Sequence, residues 1–269
     1  MKILITGLSV SALILLAAIY PADVFSAEAD FKTLRSDHFL INYQQGVSQD
    51  YVYNIKDVAE KFYRIITQEF NLIRDELWLW DNRAKVFIAD NKESYLQQFK
   101  CSSWSGACVN YLAKIIYTYP DQEHFNSIFI HELTHIILHE YLKKNNVDSW
   151  LDEGVACYIE DKYGQGLYQT RTYQLKQLIK NKQYIPFKEL FAANTVSLEH
   201  KSADYAGLFY VESFSIVNFF VKQYGKYNLS RFLSYLKHGD TIKAATAKAF
   251  SGLNNLEEME EQWAKFYLR

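Results

Sequence analysis

His131, Glu132 and His135, in the run His131-Glu132-Leu133-Thr134-His135, are the residues of this chain whose types and spacing can do chemistry. On a helix, side chains four apart project from one face, so the two imidazoles can offer nitrogens to one metal ion. Glu132 lies beside them without being a ligand. A catalytic zinc ion held by three protein groups keeps a fourth position for water. It lowers the pKa of that water to about 7, and a nearby carboxylate then takes the proton. Glu132 fits the part of that carboxylate. The bland alternative is an amphipathic helix whose histidines lie at a domain surface, and a pentapeptide this short does not decide between the two.

A third ligand discriminates further. The metzincin continuation of the motif needs Gly at 138 and His at 141, where this chain has Leu138 and Tyr141. The other arrangement brings a Glu from a second helix. Glu153, in Ser149-Trp150-Leu151-Asp152-Glu153-Gly154, lies 18 positions after His135 where a helix starts. Ser149 and Asp152 make a Ser-x-x-Asp capping pattern, which gives Asp152 a structural task and leaves Glu153 without one. Gly154 costs a helix about 1 kcal/mol relative to Ala, so its presence predicts close approach of another backbone, which a tightly apposed ligand helix would supply.

His-Glu-x-x-His followed by Trp-Leu-x-Glu-Gly resembles the gluzincins, particularly the compact peptidase MA-like domains. The resemblance implies His131, His135 and Glu153 as ligands of a Zn2+ ion and Glu132 as general base. It extends to the segment from Tyr210 to Phe220, ending in Tyr224-Gly225, which is similar to the helix carrying the family's transition-state tyrosine. Tyr210 is thereby implied as the oxyanion donor, because a neutral phenol can donate a hydrogen bond to developing negative charge. Tyr205 competes, but five residues is about 140° around a helix, so the two cannot face one point. With 21 tyrosines in the chain, packing is the ordinary role of any one of them. The resemblance also implies an edge strand that binds extended peptide through its main chain. Ser105 to Val109 falls where that strand belongs, with Gly106 and Ala107 as substrate-binding residues; an ordinary Gly-containing strand or turn is the alternative. The aminopeptidase version of the strand carries a Glu for the substrate's free amine. Here Cys108, Val109 and Asn110 stand instead, which disfavours an aminopeptidase. His139 and His124 can reach the same face, yet two ligands from one helix normally occupy adjacent turns and the next comes from elsewhere. His139 is therefore read as supporting or exposed, and His124 as belonging to the helix's first turns.

These groups need elements to carry them. Strand-like segments at 38–43, 85–89 and 115–119 alternate with helical patterns at 51–70 and 94–99. After the His-Glu-x-x-His helix, segments 151–163, 167–181, 203–224, 229–237, 241–249 and 255–268 carry helical periodicity, broken at Gly164, Pro186 and Gly225. The expectation is an α+β, zincin-like fold: an N-terminal lobe with a mixed sheet, a C-terminal helical lobe, and zinc between them, residues 30–269 forming one catalytic unit.

Lys2 before an uncharged run from Ile3 to Ala22, then Ser26, Ala27 and Ala29, makes a signal-peptide pattern over residues 1–29. The domain is expected to be exported, periplasmic or secreted. If uncleaved, the run is long enough to anchor it in a membrane. Cys101 and Cys108 can close a small loop, leaving Cys157 as a buried thiol; three reduced cysteines are the alternative. A hydrophobic content of 49% argues against disorder, and a net charge of -2 without a basic run argues against nucleic acid as a partner. The leading reading is an exported zinc peptidase acting on peptide or protein substrates, an endopeptidase rather than an aminopeptidase. The alternatives are a catalytically silent binding scaffold on the same fold, which would need the ligands but not Glu132, and a zinc hydrolase of a non-peptide substrate.

Overall fold

The computed structural model describes residues 31–101, 106–120, 125–143, 147–164, 167–194, 198 and 201–269. The signal-peptide or anchor expectation for residues 1–29, and those for Ser105 and His124, lie outside the described residues.

The N-terminal lobe is a five-stranded mixed sheet. Strands β1 (Phe31–Arg35), β2 (Phe39–Gln44), β3 (Ala84–Ile88), β4 (Ala107–Asn110) and β5 (Ile115–Thr118) lie in the order β1-β2-β3-β5-β4. β2, β3 and β5 run parallel, whereas β1 and β4 pair antiparallel at the two edges. Alternation places Phe39, Ile41, Val86, Ile88, Ile116 and Val109 in the core. On that face lie α1 (Gln49–Glu69) and α3 (Phe125–Leu142). α2 (Lys92–Phe99) covers the other face, where Phe31, Phe87, Phe99 and Tyr117 form an aromatic layer. A disulfide between Cys101 and Cys108 ties the segment after α2 to β4, and Cys157 is a buried free thiol.

The C-terminal lobe is helical: α4 (Ser149–Tyr163), α5 (Leu167–Lys180), α6 (Phe187–Ala192), α7 (Ala203–Tyr224), α8 (Lys226–Lys237), α9 (Ile242–Ala249) and α10 (Leu256–Leu268). The molecule is thus α+β, as expected. Two elements escaped the periodicity: β1, a short edge strand with three charged or polar residues in Phe31-Lys32-Thr33-Leu34-Arg35, and α6, six residues after Pro186. Among the described residues no helix is long and apolar enough to cross a membrane.

Helix α3 is buried on nearly every side, as expected of a helix at the centre of a domain. Its C-terminal end is anchored by Glu140, which accepts from Trp78 Nε1 at 2.6 Å and meets Arg74 Nε at 2.9 Å and Lys114 Nζ at 3.2 Å. Helix α4 packs between α3 and α7. The close approach anticipated at Gly154 comes from α7 and not from the histidine-bearing α3: a Cβ there would lie 2.6 Å from the Ser213 carbonyl oxygen and 2.9 Å from Val217 Cγ2. By contrast, a Cβ on Gly207 of α7 would meet nothing within 4 Å.

Two glycine substitutions should therefore have opposite signs. Gly154→Ala is expected to destabilise by about 1–3 kcal/mol, because backbone must move to admit the methyl. Gly207→Ala is expected to stabilise by up to about 1 kcal/mol through helix propensity. Urea unfolding of both variants checks the pair, and equal effects would contradict the packing described.

Candidate active site

The site is built where α3 crosses α4. His131 and His135 lie one turn apart on the face of α3 turned to α4, and Glu153 comes from the first turns of α4. All three are buried, and one ligand atom from each falls within 4.8 Å of the others. Glu153 Oε2 lies 3.3 Å from His131 Nε2 and 3.6 Å from His135 Nε2. None of these three atoms has a hydrogen-bond partner among the described residues. Buried polar atoms are nearly always partnered, so three orphans converging on one point fit a cation. Two imidazole nitrogens and one carboxylate oxygen are a donor set suited to zinc.

The other side of each imidazole is held. His131 Nδ1 lies 3.0 Å from Glu160 Oε2, and His135 Nδ1 lies 2.7 Å from Asp152 Oδ1. A carboxylate on Nδ1 fixes the tautomer that leaves Nε2 free to bind a metal. Asp152 corrects the sequence reading. The N-cap position of α4 is Asp148, without a side-chain cap bond, and the Asp152 carboxylate turns inward instead. Its second oxygen lies 2.9 Å from His139 Nε2, so Asp152 bridges two histidines. Burial alone would raise its pKa, but His135 and His139 hold it well below the usual carboxylate range. His139 is accordingly a supporting residue, as expected, and not one of the convergent group. A second convergent set is His131, Cys157 and Glu160. Burial pushes the Cys157 thiol up to about 11, so it is a protonated prop behind His131 at neutral pH.

For His131 and His135, burial opposes the charged form. Cys157, Glu153 and Glu160 more than offset this at His131, and Asp152 and Glu153 do so at His135, so both pKa values rise. Metal and protons therefore compete for the same nitrogens. Glu132 is fully buried, and neither carboxylate oxygen has a hydrogen-bond partner among the described residues. Burial pushes its carboxyl up to about 7, against the opposing pull of His131 and His135 and with the help of Glu153 and Asp152.

The remaining expected residues divide. Tyr210, on α7, is buried. Tyr205 is committed elsewhere, its hydroxyl donating to Glu189 Oε1 at 2.9 Å. Ala107 begins β4, the edge strand of the sheet beside α3, and Gly106 precedes it. The Gly106 carbonyl accepts from Thr118 Oγ1 at 3.2 Å.

Sequence reasoning missed three contributors. Glu160 had a signal, since it lies seven residues, two helical turns, after Glu153. Asp152 had one too, masked by the capping pattern. Tyr111 had none: it follows β4, stacks on His139 with ring centroids 4.7 Å apart, and lies 5.8 Å from the His135 ring.

The architecture and site together define an α+β protein with a two-helix, two-histidine, one-carboxylate centre. The sequence profile of the Peptidase MA superfamily matches residues 87–268, more than half of the chain. The chain belongs to that superfamily, which supports a fold of the zinc-metallopeptidase type. No curated protein matches it at a significant level. Among solved structures, yeast LTA4 hydrolase in complex with bestatin is similar with a TM-score of 0.44 at 13% identity, covering 88% of this chain and 36% of that one. The chain thus spans little more than a third of that protein.

Two predictions follow from the electrostatics of the centre. Asp152→Asn should weaken zinc affinity roughly 10–100-fold by releasing His135, read by competition with a chromophoric chelator; unchanged affinity would deny Asp152 its orienting part. The second concerns chelator-stripped protein. Its Glu132 carboxyl titrates about 7 when folded against an ordinary 4.5. The native state then holds an extra proton between those values and loses stability as pH rises through that window. Glu132→Gln should stabilise the stripped protein by up to about 3 kcal/mol at pH 8 and by much less at pH 5, measured by urea unfolding at both pH values.

Proposed function

We propose that this chain is an exported zinc metallopeptidase that cleaves internal peptide bonds, acting on peptide or protein substrates and not on nucleic acid. The observation that carries the proposal is the convergence of orphaned Nε2, Nε2 and Oε2 atoms from His131, His135 and Glu153 beside a buried, unpartnered Glu132 carboxylate. His131, His135 and Glu153 hold the metal. When bound, zinc supplies a Lewis acid that makes water acidic near neutral pH and polarises a carbonyl.

The chain's own residues do the rest. Glu132, with a carboxyl near 7 before any metal binds, suits proton exchange at working pH: it accepts the proton of the attacking water and returns it to the leaving nitrogen. Tyr210 donates a hydrogen bond to the oxyanion. Asp152 and Glu160 orient the imidazoles. Gly106 and Ala107, at the sheet edge, offer main-chain groups to an extended substrate. Cleavage away from the N-terminus is supported by β4 itself, where Cys108, Val109 and Asn110 provide no carboxylate for a free amine. Export is supported by the leader-like residues 1–29 and by the Cys101–Cys108 disulfide.

The test combines metal content with turnover. Elemental analysis is expected to find one zinc per wild-type chain, retained in Glu132→Gln and lost in Glu153→Ala. Hydrolysis of a quenched-fluorescent peptide library should be abolished, by at least about 100-fold, in both variants. Stoichiometric zinc in a wild type that cleaves no peptide would favour the scaffold reading. Zinc undiminished by Glu153→Ala would overturn the ligand assignment.

A further inference from the structure

Behind the metal ligands, the sheet touches α3 through one ring. Tyr111 follows Asn110, the last residue of β4, and opens the turn to β5. Three contacts fix that turn. Asn110 Oδ1 accepts from the Ala113 N–H at 3.0 Å, and the Tyr111 carbonyl accepts from the Lys114 N–H at 3.1 Å. Lys114 Nζ then crosses to Glu140 Oε1 on α3 at 3.2 Å. Leu112 in the same turn is 68% exposed, whereas the Tyr111 ring lies against α3. It stacks on His139 with an interplanar angle of 20° and centroids 4.7 Å apart, and its centroid is 5.8 Å from that of His135. His139 Nε2 lies 2.9 Å from Asp152 Oδ2, and Asp152 Oδ1 lies 2.7 Å from His135 Nδ1. Contacts therefore run unbroken from the end of the edge strand, through two rings and a carboxylate, to the imidazole whose other nitrogen faces Glu153.

A carboxylate that bridges two histidines keeps its orientation only while both rings keep theirs. The backbone of α3 sets the spacing of His135 and His139, but an imidazole still turns about its last side-chain torsion, whose energy well is broad. A flat ring stacked on His139 removes that freedom. We propose that Tyr111 is a positioning residue for the metal: its ring, and not its hydroxyl, holds His139, so that Asp152 keeps one oxygen on His139 and the other on His135, whose Nε2 is thereby aimed at the zinc. This rests on the zinc-peptidase reading given above. It joins two parts of the site that the sequence keeps apart, because the turn closing the edge strand and the ligand His135 are then held by a single stack. A ring used for packing alone would support the stability of the fold and leave the geometry at the metal unchanged.

The test measures zinc affinity of the full chain by competition with a chromophoric chelator, together with the visible absorption of the Co2+-substituted protein, which reports ligand geometry. Tyr111→Leu removes the stack and is expected to lower zinc affinity by roughly 3–10-fold and to shift the Co2+ bands. Tyr111→Phe keeps the ring and should restore both readouts. Because the effect runs through Asp152, adding Tyr111→Leu to Asp152→Asn should cost less than about 2-fold more. Wild-type affinity and an unshifted spectrum in Tyr111→Leu would overturn the proposal. So would a Tyr111→Phe that falls as far as Tyr111→Leu, which would give the part to the hydroxyl, or losses that simply multiply in the double variant. Should Tyr111→Leu not fold, His139→Leu removes the stack from its other side: it is expected to weaken zinc binding at least as much, and unchanged affinity there would also overturn the proposal. A wild type without stoichiometric zinc would instead sink the metal assignment itself, a failure distinguishable from that of Tyr111 alone.

Discussion

Four carboxylates and three imidazoles share one largely buried seam between α3 and α4, and the rest of the structure depends on making that tolerable. An unpaired charge in such a place costs several kcal/mol. The seam pairs most of them: Glu160 with His131, and Asp152 with both His135 and His139. What pairing leaves over is Glu132 and the three ligand atoms facing one another. The instability is therefore concentrated where these atoms converge, and a cation bound there would relieve it. Binding energy and folding energy are the same quantity at this seam.

Holding the seam requires α4 to be fixed on both sides. Toward α3 it presents Asp152, Glu153 and Glu160; toward α7 it presents Gly154, pressed against the Ser213 carbonyl. The residue beside the third ligand is thus the one that sets how near α7, with Tyr210, can come. On the opposite side, the sheet reaches the centre through β4 and its turn. There the fixings are side chains and one disulfide: Lys114 on Glu140, Tyr111 on His139, and Cys101 with Cys108.

Much of this was legible in the residues. The His-Glu-x-x-His spacing put two nitrogens on one helical face, and the structure brings them to one point with Glu153. Helical periodicity located most of the helices because apolar stripes of 3.6-residue period persist over two or more turns. It missed α6, which spans under two turns, and β1, where Lys32, Thr33 and Arg35 dilute the strand pattern. The error at Asp152 is instructive. A residue in an N-terminal turn that fits a capping pattern also lies on a helix face, and only packing decides which of its two possible partners is nearer. Tyr111 was illegible for a different reason: one tyrosine among 21 carries no spacing signal, and its meaning depends on a β-turn being folded against a helix.

Gly154 has a consequence for how such a centre can change over time. With no side chain at Gly154, the distance from the α4 backbone beside Glu153 to α7 is set chiefly by the Ser213 main chain. Substitutions elsewhere on α4 and α7 can alter composition and leave that spacing untouched. The sheet-side wall, held by exchangeable side chains, has no such constraint. Change in the walls around this centre therefore has one route open and one closed: β4 and its turn can drift, while the α4–α7 contact acts as a fixed gauge.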